Sequence, residues 1–285
     1  MGTLLLEKNV SNIKRATPFL KWAGGKGQLL KQIERLFPFA FNNYIEPFLG
    51  GGAVFFYLYS TGRLNDKKIT LIDSNEELIN CYFAIKKDVN KLIKILCGEK
   101  FANTEEVFYE IRIEEPRDMF ERAARAIYLN KTCYNGLYRV NSSGKFNVPF
   151  GRYRNPLICD VENLKMVNTA LRNVKIVLGD FEKCLEYAQP HGFIYFDPPY
   201  QPISKTSSFT GYTKDLFDEK EQERLANLVG ELNRKKCKIM LSNSDSPFIE
   251  GLYKDYRIEY VKARRSINCN GFNRGEINEL VVMNY

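Results

Sequence analysis

The chain has 285 residues, with 42 Lys and Arg against 34 Asp and Glu, a formal net charge of +8, 44% hydrophobic residues and 27% charged ones. That balance excludes a low-complexity chain, and no apolar run is long enough to span a bilayer. Seven scattered cysteines and a single histidine, His191, speak against a disulfide scaffold, a zinc site and histidine-based acid–base chemistry.

The first fifteen residues mix Leu with Glu, Lys and Asn and lack the order of a signal peptide. The chain is therefore expected in the cytoplasm, with its thiols reduced. Short apolar runs rich in β-branched and aromatic residues read as buried strands at 44–48, 69–73, 174–178, 193–196 and 238–242. Helical patterns lie between them. The spacing predicts helices over 53–59, over 76–87 behind a cap at Ser74 or Asn75, and over 219–234. Strands alternating with helices imply an α/β fold, a mostly parallel sheet covered on both faces. The middle third differs. From about 88 to 167 it carries helical stretches at 105–112 and 119–131, then a loop-rich segment over 132–156, and reads as an insertion. Two last strands, 259–267 and 276–284, would form an edge hairpin turning at 268–275. His191 reads as a turn residue in Gln189-Pro190-His191-Gly192. No internal repeat is present.

Three motifs carry chemistry. In Tyr44-Ile45-Glu46-Pro47-Phe48-Leu49-Gly50-Gly51-Gly52 an apolar strand runs into three glycines, which either make a turn or let a ligand approach the backbone. Asp73 ends the next strand about twenty residues later, where a carboxylate holds ribose hydroxyls or caps a turn. The glycine spacing does not fit a dinucleotide site, so a nucleoside ligand is the better reading. The third motif, Phe193-Ile194-Tyr195-Phe196 running into Asp197-Pro198-Pro199-Tyr200, is the most specific. An amino group on an aromatic ring is a poor nucleophile because its lone pair is delocalised. Acceptors on Asp197 and on the Pro198 carbonyl can hold its two hydrogens and aim the lone pair at a methyl donor. Tyr200 offers a face for stacking a base.

Together with Phe19-Leu20-Lys21-Trp22-Ala23-Gly24-Gly25-Lys26, these motifs resemble the Dam family of DNA adenine methyltransferases, which includes the DpnII-type restriction-modification methylases. Asn135-Gly136-Leu137-Tyr138-Arg139-Val140-Asn141, Phe146-Asn147-Val148-Pro149-Phe150-Gly151-Arg152-Tyr153, Gly179-Asp180-Phe181 and Leu241-Ser242-Asn243-Ser244 also match, so the resemblance spans nearly the whole chain from Thr17. It implies a Rossmann-like methyltransferase sheet, formed by 1–87 and 168–285, with a mostly helical target-recognition domain inserted at 88–167. It implies S-adenosylmethionine as cofactor, touched by Trp22, Lys26, Phe48, Gly50, Gly52, Asp73, Asp180, Phe181 and Asp197. Lys26 would lie near the cofactor's carboxylate, and Asp180 and Phe181 would bracket its adenine. Catalysis would fall to Asp197, Pro198, Pro199 and Tyr200. The implied substrate is duplex DNA at GATC, with the target adenine flipped out and methylated at N6.

The segment 131–154 carries Lys131, Arg139, Lys145, Arg152 and Arg154, no acidic residue, and interleaved aromatics. Composition alone leaves it as either a solvated basic loop or a DNA contact. The resemblance implies DNA, with Tyr134 wedged beside the flipped base and Lys21, Asn135, Leu137, Arg139, Asn147, Pro149, Arg152 and Tyr153 at the interface. No metal and no membrane partner are expected, and a monomer suffices to act on one strand. Two rival readings are an RNA or protein amino-methyltransferase on the same fold and a DNA-binding protein that has lost its activity.

Overall fold

A computed structural model describes residues 15–22, 24–201, 217–264 and 276–285. Among these residues the elements run α1 (Leu30–Ile33), β1 (Asn43–Glu46), α2 (Ala53–Ser60), β2 (Lys68–Asp73), α3 (Glu76–Leu96), α4 (Glu105–Ile113), α5 (Met119–Thr132), α6 (Val161–Leu171), β3 (Val174–Leu178), β4 (Phe193–Phe196), α7 (Glu219–Arg234), β5 (Lys238–Ser244), α8 (Pro247–Leu252), β6 (Arg257–Arg264) and β7 (Glu276–Met283). The strands form one sheet of order β3-β2-β1-β4-β5-β7-β6. The first five pair in parallel and the last two run antiparallel as an edge pair. This is a Rossmann-like α/β sheet.

Side chains alternate between the two faces, as strand geometry requires. Tyr44, Phe193, Tyr195, Met240, Val281 and Met283 enter one apolar cluster with α2, α3, α5 and α6. Ile45, Ile194, Phe196, Ile239, Leu241, Leu280 and Val282 enter the other with α7 and α8. Coverage of both faces explains why the central strands β1 and β4 are buried along their whole length. Several helices start on a capping side chain. Asn75 accepts from the Leu78 amide, Thr104 from Val107, Asp118 from Phe120 and Glu121, and Asp218 from Glu221. The alternative cap, Ser74, is not used.

β1 stops at Glu46, before the predicted end, because Pro47 has no amide hydrogen to continue the ladder. α3 continues beyond the predicted Lys87. Asp88 interrupts it (φ −157°, ψ 87°), and its carboxylate accepts the Lys91 amide at 3.0 Å, so the helix is recapped rather than ended. Position 88 and the 167–168 boundary thus lie inside helices. The loop-rich segment contains a short antiparallel ladder, with bridges Cys133–Phe150 and Val140–Phe146 closed by a turn in which the Asn141 carboxamide accepts from Ser143 and Lys145. His191 takes φ +62° in a turn, as its sequence suggested. The expected hairpin turn at 268–275 lies outside the described residues. Among the described residues, no helix is long and apolar enough to cross a membrane and no His, Cys, Asp and Glu side chains cluster as a metal site.

Candidate active site

The strand order reverses between β1 and β4. Such a switch point opens a crevice beyond the carboxyl ends of the strands. The glycine turn leaves β1 there, and the Asp197–Tyr200 tetrapeptide leaves β4 beside it. Gly50 (φ +48°) and Gly52 (φ +70°) adopt the left-handed conformation that glycine accepts without strain. A Cβ at Gly50 would lie 2.9 Å from Trp22 Cδ1, so the indole sits directly against the turn. Asp73, at the end of β2, fixes the turn from the other side. Its Oδ2 accepts the Gly50 amide at 2.9 Å and its Oδ1 accepts the Asn75 amide at 2.9 Å. Burial pushes the Asp73 carboxyl up, and these amide bonds pull against it. Asp73 therefore does what the turn reading expected while standing at the edge of the crevice.

Lys26 is 3% exposed, and its ammonium lies 2.6 Å from Asp197 Oδ1 and 2.7 Å from the Gly24 carbonyl. It also stands 4.7 Å from the centre of the Tyr200 ring. The Tyr200 hydroxyl donates to Glu279 Oε2 on β7 at 2.6 Å. Burial raises the Asp197 pKa to about 6, with Lys26 opposing the rise and Glu279 adding to it. Behind them Glu46 is buried at the end of β1 and accepts the Tyr44 hydroxyl at 2.7 Å. Burial pushes its carboxyl to about 8, so Glu46 is mostly neutral at pH 7. Glu46 and Glu279 were in view in the sequence, but nothing in their spacing marked them.

Asp180 and Phe181 follow β3. The Asp180 carboxylate takes both terminal nitrogens of Arg224, at 3.1 and 2.8 Å, and caps the turn through the Glu182 amide. Phe181 is 3% exposed. Its ring stacks on Phe48 with centroids 5.2 Å apart, and the Arg224 guanidinium lies 4.2 Å from its centre. A base stacking on Phe181 would have to move one of these neighbours. Arg224 is invisible to a motif search because it sits on a helix 44 residues from Asp180.

The residues expected at a DNA interface gather around the short ladder. Tyr134 is 55% exposed, with its amide donating to the Pro149 carbonyl at 2.9 Å. The exposed Arg139 is oriented by Asn147, its Nε donating to Asn147 Oδ1 at 2.8 Å. Asn135 (φ +57°) and Arg152 (φ +54°) lie at tight turns, and Arg152 faces Glu105 at 3.5 Å. Leu137 packs half-buried against the first core cluster. Lys21 reaches over the Tyr153 ring at 5.7 Å. One buried side chain that sequence reasoning overlooked joins these pieces. Asn130 accepts the Lys21 amide at 2.9 Å and donates to the carbonyls of Lys21 and Gly136 at 2.8 and 3.0 Å. Trp22 in turn stacks on Tyr138 at 5.1 Å. The basic ladder is thereby fastened to the segment that covers the glycine turn.

Residues 22–267 match the family model of the D12 class N6 adenine-specific DNA methyltransferases. The chain belongs to this family. It is 48% identical over 287 residues to Type II methyltransferase M.MjaIII of Methanocaldococcus jannaschii, covering 94% of this chain and 99% of the relative. Type II methyltransferase M1.LlaDCHI of Lactococcus lactis subsp. cremoris is 44% identical over 290 residues, with 99% of each chain covered. The DNA adenine methylase of Escherichia coli K12 is 34% identical over 276 residues, covering 95% and 96%. The D12 methyltransferase described here is thus an adenine-N6 DNA methyltransferase that uses S-adenosylmethionine. Its crevice suits that cofactor chemically. Carboxyl groups of Asp73 and Asp197 stand at a crevice whose glycine turn leaves no room for a Cβ at Gly50, a setting for a ligand with hydroxyls and a sulfonium cation.

Proposed function

We propose that this enzyme methylates N6 of an adenine flipped out of duplex DNA, within GATC. The reading rests on one observation above others. The Asp197–Tyr200 tetrapeptide and the glycine turn leave adjacent strands at the switch point of the sheet. Trp22, Phe48, Gly50, Gly52, Asp73, Asp180 and Phe181 would hold the cofactor, with Lys26 and Asp197 at its edge. Bound there, S-adenosylmethionine supplies an electrophilic methyl group on a cationic sulfur.

Lys26 engages Asp197 Oδ1, so Oδ2 is the acceptor assigned to one hydrogen of the target amino group. The Pro198 carbonyl is the acceptor for the other. Two acceptors draw the nitrogen toward a tetrahedral shape and stabilise the positive charge it gains as the new bond forms. With a pKa of about 6, Asp197 is mostly ionised at pH 7 and suited to that charge. Tyr200, held through its hydroxyl by Glu279, would stack on the flipped base.

Residues 88–167 would serve as the target-recognition unit, acting as part of a cytoplasmic monomer. Tyr134 would enter the gap left by the flipped base. Arg139, preset by Asn147, would read a base edge in concert with Lys21, Leu137 and Pro149, while Asn135, Arg152 and Tyr153 line the duplex. Arg139→Ala is expected to cost about 1–3 kcal/mol and to relax discrimination at one base pair. Binding titrations on a panel of single-base variants check this, and an equal loss on every sequence would make Arg139 a phosphate contact. The function itself is tested with radiolabelled S-adenosylmethionine and two duplexes, one with GATC and one differing by a single base pair. Label in N6-methyladenine from the GATC duplex alone is expected. Label in both or in neither refutes the target, and an RNA of the same sequence is the next substrate to try.

A further inference from the structure

Two consecutive prolines give the catalytic tetrapeptide a particular problem. Pro198 and Pro199 have no amide hydrogen, so the turn cannot be stapled by its own backbone bonds at those positions. The directions of their carbonyls must be set from outside. Gln222, on α7, and Asn243, on β5, stand behind the turn, and both are fully buried at 0% exposure. Gln222 Nε2 donates to the Pro199 carbonyl at 2.9 Å. Gln222 Oε1 accepts from Asn243 Nδ2 at 2.9 Å. Asn243 Oδ1 accepts the backbone amides of Ser244 at 2.8 Å and Gln201 at 3.4 Å.

The direction of this chain is determined by its end. Backbone amides only donate, so Asn243 must present its oxygen to them and its amino group to Gln222. Gln222 must then present its oxygen to Asn243 and its amino group to Pro199. Burying two carboxamides is costly unless they are satisfied, and apolar residues would fill the same space at lower cost. The network grips the tetrapeptide just past Asp197, through Pro199, and again at Gln201.

We propose that Gln222 and Asn243 are positioning residues for methyl transfer, which fix the Pro-Pro turn and so aim the Pro198 carbonyl at the target amino group. This rests on the reading of Asp197–Tyr200 as the acceptor site. A displacement of about 1 Å at such a site can cost about a hundredfold in rate.

Gln222→Met keeps the volume and removes the donor to Pro199. Its kcat is expected to fall at least tenfold, with the KM for S-adenosylmethionine and the affinity for duplex DNA within twofold of the parent. Gln222→Glu supplies a signature that packing alone would not. The introduced carboxyl can donate to the Pro199 carbonyl when protonated, and cannot when ionised. The ratio of its kcat to that of the parent should therefore rise as pH falls from 9 to 6. Asn243→Asp removes the amide that orients Gln222 and, should Gln222→Met fail to fold, serves in its place, with the same loss of kcat at constant KM. A kcat within twofold of the parent in a folded Gln222→Met or Asn243→Asp protein overturns the proposal. So does a Gln222→Glu ratio that is flat with pH. Asp197→Ala run alongside separates the two levels: if it stays active, the acceptor site itself is misassigned, and if it is dead while Gln222→Met is fully active, only the positioning role falls.

Discussion

Replacing Asp197 with alanine is expected to lower kcat by at least about a hundredfold while leaving affinity for S-adenosylmethionine within a few-fold of the parent. The loss is one of charge placement. Lys26 takes Oδ1 of Asp197 and leaves Oδ2 to accept from the amine, and an acceptor aimed at a nitrogen that gains positive charge acts mainly in the transition state. Alanine also leaves Lys26 buried at 3% exposure without its partner, which is destabilising in itself. Asp197→Asn separates the two effects. The carboxamide keeps the shape and an acceptor oxygen but carries no charge, so its thermal melt should stay closer to the parent while kcat still falls. The parent's own pH profile gives a second reading. Asp197 must be ionised to act, and its pKa of about 6 predicts that kcat falls as pH drops through about 6 and is level above about 7. Single-turnover rates across pH 5–9 measure both points. Near-parental turnover by either variant would remove Asp197 from the mechanism.

How much of this could be read before the fold was known varies from residue to residue, for physical reasons. The strand 193–196 ends where its apolar run ends, because both faces of the sheet are covered there. The helix at 219–234 was legible for its apolar stripe, and the structure adds its Asp218 cap. The crevice was legible as three motifs because each lies on a strand end and strand ends converge on one edge. What stayed hidden are the partners that reach the crevice from other elements. Lys26 was placed by resemblance at the cofactor's carboxylate, whereas its ammonium pairs with Asp197. Glu279, Arg224, Gln222 and Asn130 lie on a late strand and on helices, one polar residue among several in each case. Sequence spacing reports which face a residue takes but not which distant loop that face meets. α6 also escaped notice: it follows the segment read as loop, and with its Asp160 cap and its buried Leu164, Val167 and Leu171 it straddles the boundary drawn at 167.

Lys26 offers the second large effect, and a means of separating two roles for one ammonium group. Lys26→Met preserves an unbranched side chain of similar volume in a site that is 3% exposed. It removes the cation that opposes the effects of burial and of Glu279 on Asp197. An opposite charge at this range typically moves a carboxyl pKa by about 1 to 3, so without Lys26 the Asp197 carboxyl should titrate above its parental value of about 6. The acid must be ionised to accept from the amine, so the acidic limb of kcat moves to higher pH. At pH 7 the variant should lose about tenfold in kcat, and at pH 9 most of that loss should be recovered. If Lys26 instead serves the cofactor's carboxylate, the same variant keeps the limb where it was and raises the KM for S-adenosylmethionine at every pH. The 2.6 Å contact with Asp197 and the 4.7 Å approach to the Tyr200 ring favour the shifted limb, because one buried ammonium bound to the catalytic carboxylate has its strongest partner already. Kinetics at saturating cofactor decide the matter, since saturation cancels a binding defect and leaves a displaced ionisation in view.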